Sequence, residues 1–433
     1  MLKSKWGVLT VFVVFAVLLS MALSGCGSQQ ADPGTQENAI RIGIAGPMTF
    51  IHGEHMWKSA TMAADEINEA GGIQVGDEKR PIELVSVETN EILNVPDAAN
   101  AIERAITVDK VDYLLGGFRT EAVLGMQDVA ADHETIFIIT GSGHPQLTMR
   151  VGEDYEKYKY FFRTNPMNSN NMARATFLIL HEIATVIRED LGFAQPKVAI
   201  LAESAVWVDP IIAASEQQMP NMGLEIVGVW RPSANATDLS AELSAISDSG
   251  AHIIFTVMSG PVGGPFARQY EELQVPAAVA GINVDSMGGK FWQTTGGLGN
   301  FVSTLNLVGR VETSSHSVDF FDRFMENYDE IPVYTVATYD ALNILAAAIE
   351  RAGTTDNDAV IAELEKTDAP AIGGRIVFTD EHDVTWGPGY VTGLGTQWQD
   401  GELKVFWPNG WEGITYEGTV RYQLAPWVIE HWK

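Results

Sequence analysis

"IRIGIA" (residues 40–45) is followed, after a short loop, by a stretch in which Met56, Ala60, Ala63, Ala64 and Ile67 fall on one helical face. A brief, mostly apolar run of this kind suits a strand buried on both faces, and the spacing after it suits an amphipathic helix over 54–70. Gly71-Gly72 ends that helix. The same alternation then repeats: strand 82–87 with helix 96–109, strand 111–117 with helix 120–133, then strand 135–140. Strands that alternate with helices predict βαβ units and a parallel sheet covered on both faces.

The pattern restarts after "YFFRTNP" (160–166). A helix over 168–189 precedes strand 197–202 and helix 208–219. Strand 224–230 leads to helix 237–247, strand 251–257 to helix 263–273, and "AAVAG" (277–281) closes the series. After "VSTLNLVG" (302–309) come helices near 315–328, 335–352 and 356–367. Residues 373–408 read instead as short strands rich in glycine, with a turn at Gln399-Asp400-Gly401. The expected fold class is α/β, with two doubly wound parallel-sheet lobes in tandem.

Two lysines, Lys3 and Lys5, precede an apolar run from Trp6 to Leu23, and Cys26 is the one cysteine of 433 residues. A lone cysteine forms no internal disulfide and no multi-cysteine zinc site. Its surroundings have the three-part layout of an export signal, and the run is also about long enough to span a bilayer. Leu23-Ser24-Gly25-Cys26 resembles a lipobox, the processing motif of bacterial-type lipoproteins. The resemblance implies a signal peptide over 1–25, cleavage after Gly25 and a lipid on Cys26. Residues 26–37, rich in Ser, Gln, Gly and Asp, then read as a flexible tether. The exported chain would be anchored to the outer face of the cytoplasmic membrane.

The formal charge is −29, and loss of Lys3 and Lys5 with the leader makes it more negative still. A surface this acidic excludes nonspecific binding of nucleic acid or of anionic lipid. No metal or cofactor is expected. His133-Glu134 and His181-Glu182 each lack the second histidine of a zinc protease motif. Ser142, in "TGSGH", lacks the spacing of a nucleophile elbow. Gly71-Gly72 and Gly296-Gly297 read as helix stops rather than phosphate cradles. The chain is not expected to be an enzyme.

"IRIGIAGPMT", "MAADEINEAGGI", "KVAILAESAVW", "ATYDALNILAAAIERAG" and "QWQDGELKVFWP", in this order from Ile40 to Pro408, resemble the leucine/isoleucine/valine-binding proteins. These are type I solute-binding proteins of ABC transporters. The resemblance implies two lobes joined by three hinge segments, with a small ligand, an amino acid or a related carboxylate or amide, between them. It further implies a monomer that delivers its ligand to an ABC permease in the membrane. By position, one lobe would comprise 38–164 and 307–375 and the other 165–306 and 376–433, with crossings near Thr164, Asn306 and Arg375. A ligand sensor of the same fold and a lipid-anchored hydrolase stay open as alternatives.

In open parallel sheets the ligand sits at the carboxyl ends of strands, beside helix N-termini. Thr120 is placed to cap the helix that follows "YLLGG", and Arg119 beside it would favour a carboxylate. The family holds a ligand carboxylate near here. Its next loop supplies a carbonyl and a hydroxyl, which correspond here to Gly141 and Ser142. The resemblance also implies His52 in the first loop, just before Gly53, and Trp207, Ser259 and an acid or amide at Asn283 or Asp285 from the second lobe.

Overall fold

The computed structural model describes residues 38–433; the leader, Cys26 and the tether lie outside the described residues. β1 (Ile40–Gly46) runs parallel between β4 (Ile82–Glu88) and β5 (Tyr113–Gly116), and β6 (Phe137–Ile139) and β7 (Phe161–Arg163) extend the sheet beyond β5. Helix α1 (Ile51–Glu69) lays Met56, Ala60 and Ala63 on the face that carries Ile40, Ile42 and Ile44. Helices α2 (Val95–Thr107) and α3 (Thr120–Asp132) cover the other face, where Ile102, Val123 and Met126 meet Ala45, Leu114 and Ile139. Each fully buried aliphatic or aromatic side chain contributes roughly 1.5–3 kcal/mol. That is why the strands read as apolar runs without alternation.

The second sheet has the order β11 (Ala278–Asn283), β10 (Ile253–Met258), β8 (Lys197–Ala202), β9 (Glu225–Trp230), all parallel. Helices α6 (Ser169–Leu191) and α7 (Asp209–Gln218) pack Ile179, Ile183 and Ile211 on one side of it. Helices α8 (Ser240–Asp248) and α9 (Gly263–Glu272) pack Leu243, Phe266 and Tyr270 on the other. β12 (Ser303–Asn306), β15 (Leu394–Gln399) and β16 (Glu402–Trp407) form an antiparallel sheet. Asp400 and Gly401, with φ of 56° and 80°, make the tight turn between β15 and β16.

Several elements depart from the sequence reading. α1 begins at Ile51, so the loop before it is shorter than expected. The helix expected from 335 is α12 (Thr338–Ala352), preceded by a 3₁₀ turn over Tyr334–Ala337. "YFFRTNP" contains β7, the fifth strand of the first sheet. The hairpin of β2 (Ile73–Val75) and β3 (Glu78–Arg80), helices α4 (Gln146–Glu153) and α5 (Tyr155–Tyr158), and α14 (Pro426–Trp432) were not anticipated. They are short, and short elements lack the periods that reveal helix or strand.

Beyond Arg375, which lies in β14 (Gly374–Val377) and pairs with Asp368, the chain still packs on the first sheet. The His382 ring stacks on Phe162 at 3.9 Å, and Asp383 pairs with the fully buried Arg163 of β7. Among the described residues no helix is long and apolar enough to cross a membrane, and no group of His, Cys, Asp and Glu could hold a metal.

Candidate functional site

The carboxyl ends of the two parallel sheets face a common cleft of about 860 Å³, counting the part open to solvent. At the end of β5, Gly116 turns the chain toward it with a φ of 118°; a Cβ there would stand 2.0 Å from the Ala45 carbonyl oxygen. Phe118, Arg119 and Thr120 follow at the wall of the cleft. Gly141 and Gly143 enter after β6, Glu203 and Trp207 after β8, Ser259 after β10, and Val284 and Met287 after β11. Leu305, Leu307 and Tyr334 complete a largely apolar lining.

Five of the expected residues line this cleft: Arg119, Thr120, Gly141, Trp207 and Ser259. Thr120 is not the cap of α3. Arg119 has the extended backbone of the cap position, and Thr120 is the first helical residue. The Thr120 hydroxyl lies 3.0 Å from that of Ser142, which is buried one layer behind the wall. Gly141 accepts a hydrogen bond from the Tyr334 hydroxyl at 2.9 Å.

What occupies the opening of α3 is Glu91. Its Oε2 accepts the backbone N–H groups of Phe118 (3.0 Å) and Arg119 (2.6 Å), and its Oε1 accepts the Thr89 hydroxyl at 2.8 Å. Glu91 is fully buried, and burial pushes its carboxyl up to about 7 despite these donors. The Arg119 guanidinium is engaged as well, with Nε 3.3 Å from Glu121 Oε2 and Nη1 donating to the Ile92 carbonyl at 3.3 Å.

Three expectations are corrected. His52 is on α1, not in a loop, and does not line the cleft; its ring stacks behind Phe118 at 4.1 Å. Burial pushes its imidazole down to about 3, and among the described residues neither ring nitrogen has a hydrogen-bond partner. Asn283 is buried beside the start of α9, where its Nδ2 donates to the Gly263 carbonyl at 3.2 Å. Asp285 turns away from the cleft into a separate hollow with Ile51, Pro261 and Lys290, where it accepts the Gly264 N–H at 3.1 Å.

The acid that does reach the cleft from the second sheet is Glu203, which the sequence reading missed. It is 1% exposed and accepts Trp207 Nε1 at 2.9 Å, the Ser259 hydroxyl at 2.5 Å and the Gly260 N–H at 2.8 Å. Every one of these donors is neutral. Glu203 is the first charged residue after β8, and the rule that ligands sit at strand carboxyl ends would have found it. At the rim, the Val206 N–H donates to Glu121 Oε1 at 3.4 Å, so the segment after β8 meets the first turn of α3 there.

A family model described as periplasmic binding protein matches residues 39–401. An amino acid binding protein of Pseudomonas aeruginosa is 26% identical over 327 residues, covering 73% of this chain and 80% of that protein. The leucine-, isoleucine-, valine-, threonine- and alanine-binding protein of the same organism is 21% identical over 369 residues, covering 84% and 91%. Among solved structures, a branched-chain amino acid transporter substrate-binding protein from Streptococcus pneumoniae, in complex with isoleucine, superposes with a TM-score of 0.71. It is 19% identical and covers 88% of this chain and 99% of its own. A solute-binding protein of an ABC transporter from R. palustris, in complex with benzoate, superposes with a TM-score of 0.70 at 15% identity, covering 88% and 97%. At such identities the likeness of structures is one of fold.

Proposed function

Because the chain belongs to the periplasmic binding protein family, we propose that it captures a small organic ligand bearing an amine or amide and delivers it to an ABC permease. The family is one of transport receptors and not of enzymes, and it works outside the cytoplasm. The single observation that carries the ligand reading is the cleft itself. Both parallel sheets contribute to it, its wall is apolar, and one buried carboxylate, Glu203, lies in that wall. Amino acids are the ligands named for the relatives, and amino acids and their derivatives fall within the proposed class. Glu203 replaces Asn283 and Asp285 as the group that meets the ligand's nitrogen.

The two sheets are the cores of two lobes that close on the ligand by a hinge. The first two crossings fall near Thr164 and Asn306. The third is placed after Val384 rather than at Arg375, since His382 and Asp383 pack with the first sheet. A lipid on Cys26 holds the monomeric receptor at the membrane, and the tether gives it reach to the permease.

Native mass spectrometry of the freshly isolated, detergent-solubilised protein should reveal a retained ligand, and small-angle scattering should show a smaller radius with that ligand than without it. A tightly bound ligand that leaves the radius unchanged would argue for a rigid scaffold and against hinged capture.

A further inference from the structure

Resting on that reading, we propose that Glu91 is a positioning residue for ligand capture: its carboxylate fixes the wall segment 118–121 where a ligand meets it. Glu91 itself stays out of the cleft. It is fully buried in the loop after β4, while Ile92 beside it lines the cleft. β1 separates β4 from β5, so the Glu91 side chain ties together two loops that the sheet holds apart.

The first ground is the freedom the segment would have without it. β5 ends at Gly116 and α3 begins at Thr120. Gly116 and Gly117 take φ of 118° and 76°, and glycine moves readily between such conformations. The N–H groups of Phe118 and Arg119 belong to neither element. Their acceptor is Glu91 Oε2, at 3.0 and 2.6 Å. Arg119 Nη1 donates in return to the Ile92 carbonyl at 3.3 Å, so the two loops hold each other in both directions.

The second ground is what the segment carries. Phe118, Arg119, Thr120 and Glu121 all line the cleft. The Thr120 hydroxyl meets that of Ser142 at 3.0 Å, and Glu121 Oε1 accepts the Val206 N–H of the other half at 3.4 Å. A shift of the segment would reach the ligand wall and the contact between the halves together.

The third ground is charge. Hydrogen bonds to an ionised acceptor are roughly twice as strong as neutral ones, so the grip depends on an ionised Glu91. Burial, with the charge of Glu88 at the end of β4 adding to it, pushes the carboxyl up to about 7 against its donors. The other groups facing it are Arg119, engaged with Glu121 and the Ile92 carbonyl, Tyr334 of the 3₁₀ turn, and His52 of α1 behind Phe118. Burial holds Tyr334 and His52 neutral. A ligand that needs the gripped wall binds the ionised form, and its affinity should fall as pH drops through about 7.

The probes are L-leucine, L-isoleucine, L-valine, L-threonine and L-alanine, titrated calorimetrically into the detergent-solubilised wild type and Glu91→Gln between about pH 6 and 8. Glutamine keeps the shape and an acceptor but cannot carry the charge. At the alkaline end the variant should bind at least about tenfold more weakly. Wild-type affinity should fall toward the variant's as pH drops, by up to about tenfold per pH unit, and the variant's profile should be flat. Hydrogen exchange of the ligand-free proteins at the alkaline end should be at least about fivefold faster at Phe118 and Arg119 in the variant. Its melting temperature should be no lower than that of the wild type, whereas a merely structural role would lower it. If Glu91→Gln binds as tightly as the wild type, or keeps the wild-type pH profile, the positioning role is overturned and ligand capture stands. If no probe binds either protein, amino acids leave the proposed ligand class and exchange decides: faster exchange in the variant supports the role, and unchanged exchange overturns it.

Discussion

Lys290 Nζ lies 2.9 Å from Glu54 Oε2 and so ties the region after the second sheet to the first helix behind the first sheet. Glu330 joins the pair, 3.0 Å from Lys290 and 2.6 Å from Lys58. The two contacts made by Lys290 join one half to the other, whereas Lys58 and Glu330 belong to the same half. Lys290 is half exposed, so the pairs contribute at most about 1 kcal/mol. Lys290→Met should weaken binding of the isolated ligand by about two- to fivefold at low salt and have no effect near 1 M salt. Titrations at the two salt concentrations decide it, and an equal loss at both would remove the electrostatic account.

Asp383 is expected to be a stability determinant of the cleft as well as of the fold. Its Oδ1 accepts Arg163 Nε at 2.8 Å, and Arg163 Nη1 donates to the carbonyls of Ser142 (3.3 Å) and His144 (3.0 Å). Asp383→Ala leaves the buried guanidinium without its counter-ion and should cost about 3–5 kcal/mol in urea denaturation. Burial raises the Asp383 carboxyl, but the Arg163 guanidinium outweighs it and holds the group below the usual range. A depressed acid stabilises above its unfolded value and loses that contribution as pH falls through the folded one. The wild type should therefore lose stability below about pH 4, and the variant should lose less there.

Asp340 predicts the opposite slope. It is 5% exposed, accepts the Ile372 N–H at 3.0 Å, and burial pushes it up to about 8. A raised acid contributes stability that is complete below its unfolded value and is lost as pH rises through the folded one. Stability should decline from about pH 5 to 8 by at most about 1.4 kcal/mol per pH unit for this group. Glu91 adds to the same slope up to about 7. Asp340→Asn should flatten part of the profile and exceed the wild type at the alkaline end. Calorimetric melting at constant ionic strength is the check, and a variant weaker at every pH would contradict it.

Two glycines of one loop should respond differently to alanine. A Cβ at Gly141 would stand 2.5 Å from the Gly117 carbonyl oxygen and 3.2 Å from the Phe118 Cα, both of them backbone. A Cβ at Gly143 would meet the Met172 Cε at 2.2 Å, the free end of a flexible side chain. Gly141→Ala should cost about 1–3 kcal/mol and distort the cleft, and Gly143→Ala should cost clearly less by the same denaturant titration.

The sheets were legible because β1, β8 and β10 are covered on both faces, which forces apolar runs that helices interrupt at regular intervals. The site was legible only in part. Trp207 and Ser259 were found because each closely follows a readable strand. His52 was misplaced because Gly53 looked like a loop residue. In fact α1 passes so close to the preceding loop that a Cβ at Gly53 would stand 2.4 Å from the Pro47 carbonyl carbon. The first residue of α3 was misread because Arg119 takes the cap position, with its N–H held from elsewhere in the chain. Glu91 is distant in sequence from Phe118 and Arg119, and no local pattern announces such a partner.

Glu91 also changes where the choice of cargo resides. It touches backbone and is fully buried, so nothing in the cleft meets it directly. Shortening this one side chain would free the N–H groups of Phe118 and Arg119 beside the cleft and make the same wall more receptive to an acid. The preference between opposite charges would then hang on a residue outside the contact surface. Relatives with identical cleft walls could differ in diet, and comparing wall residues alone would not reveal it.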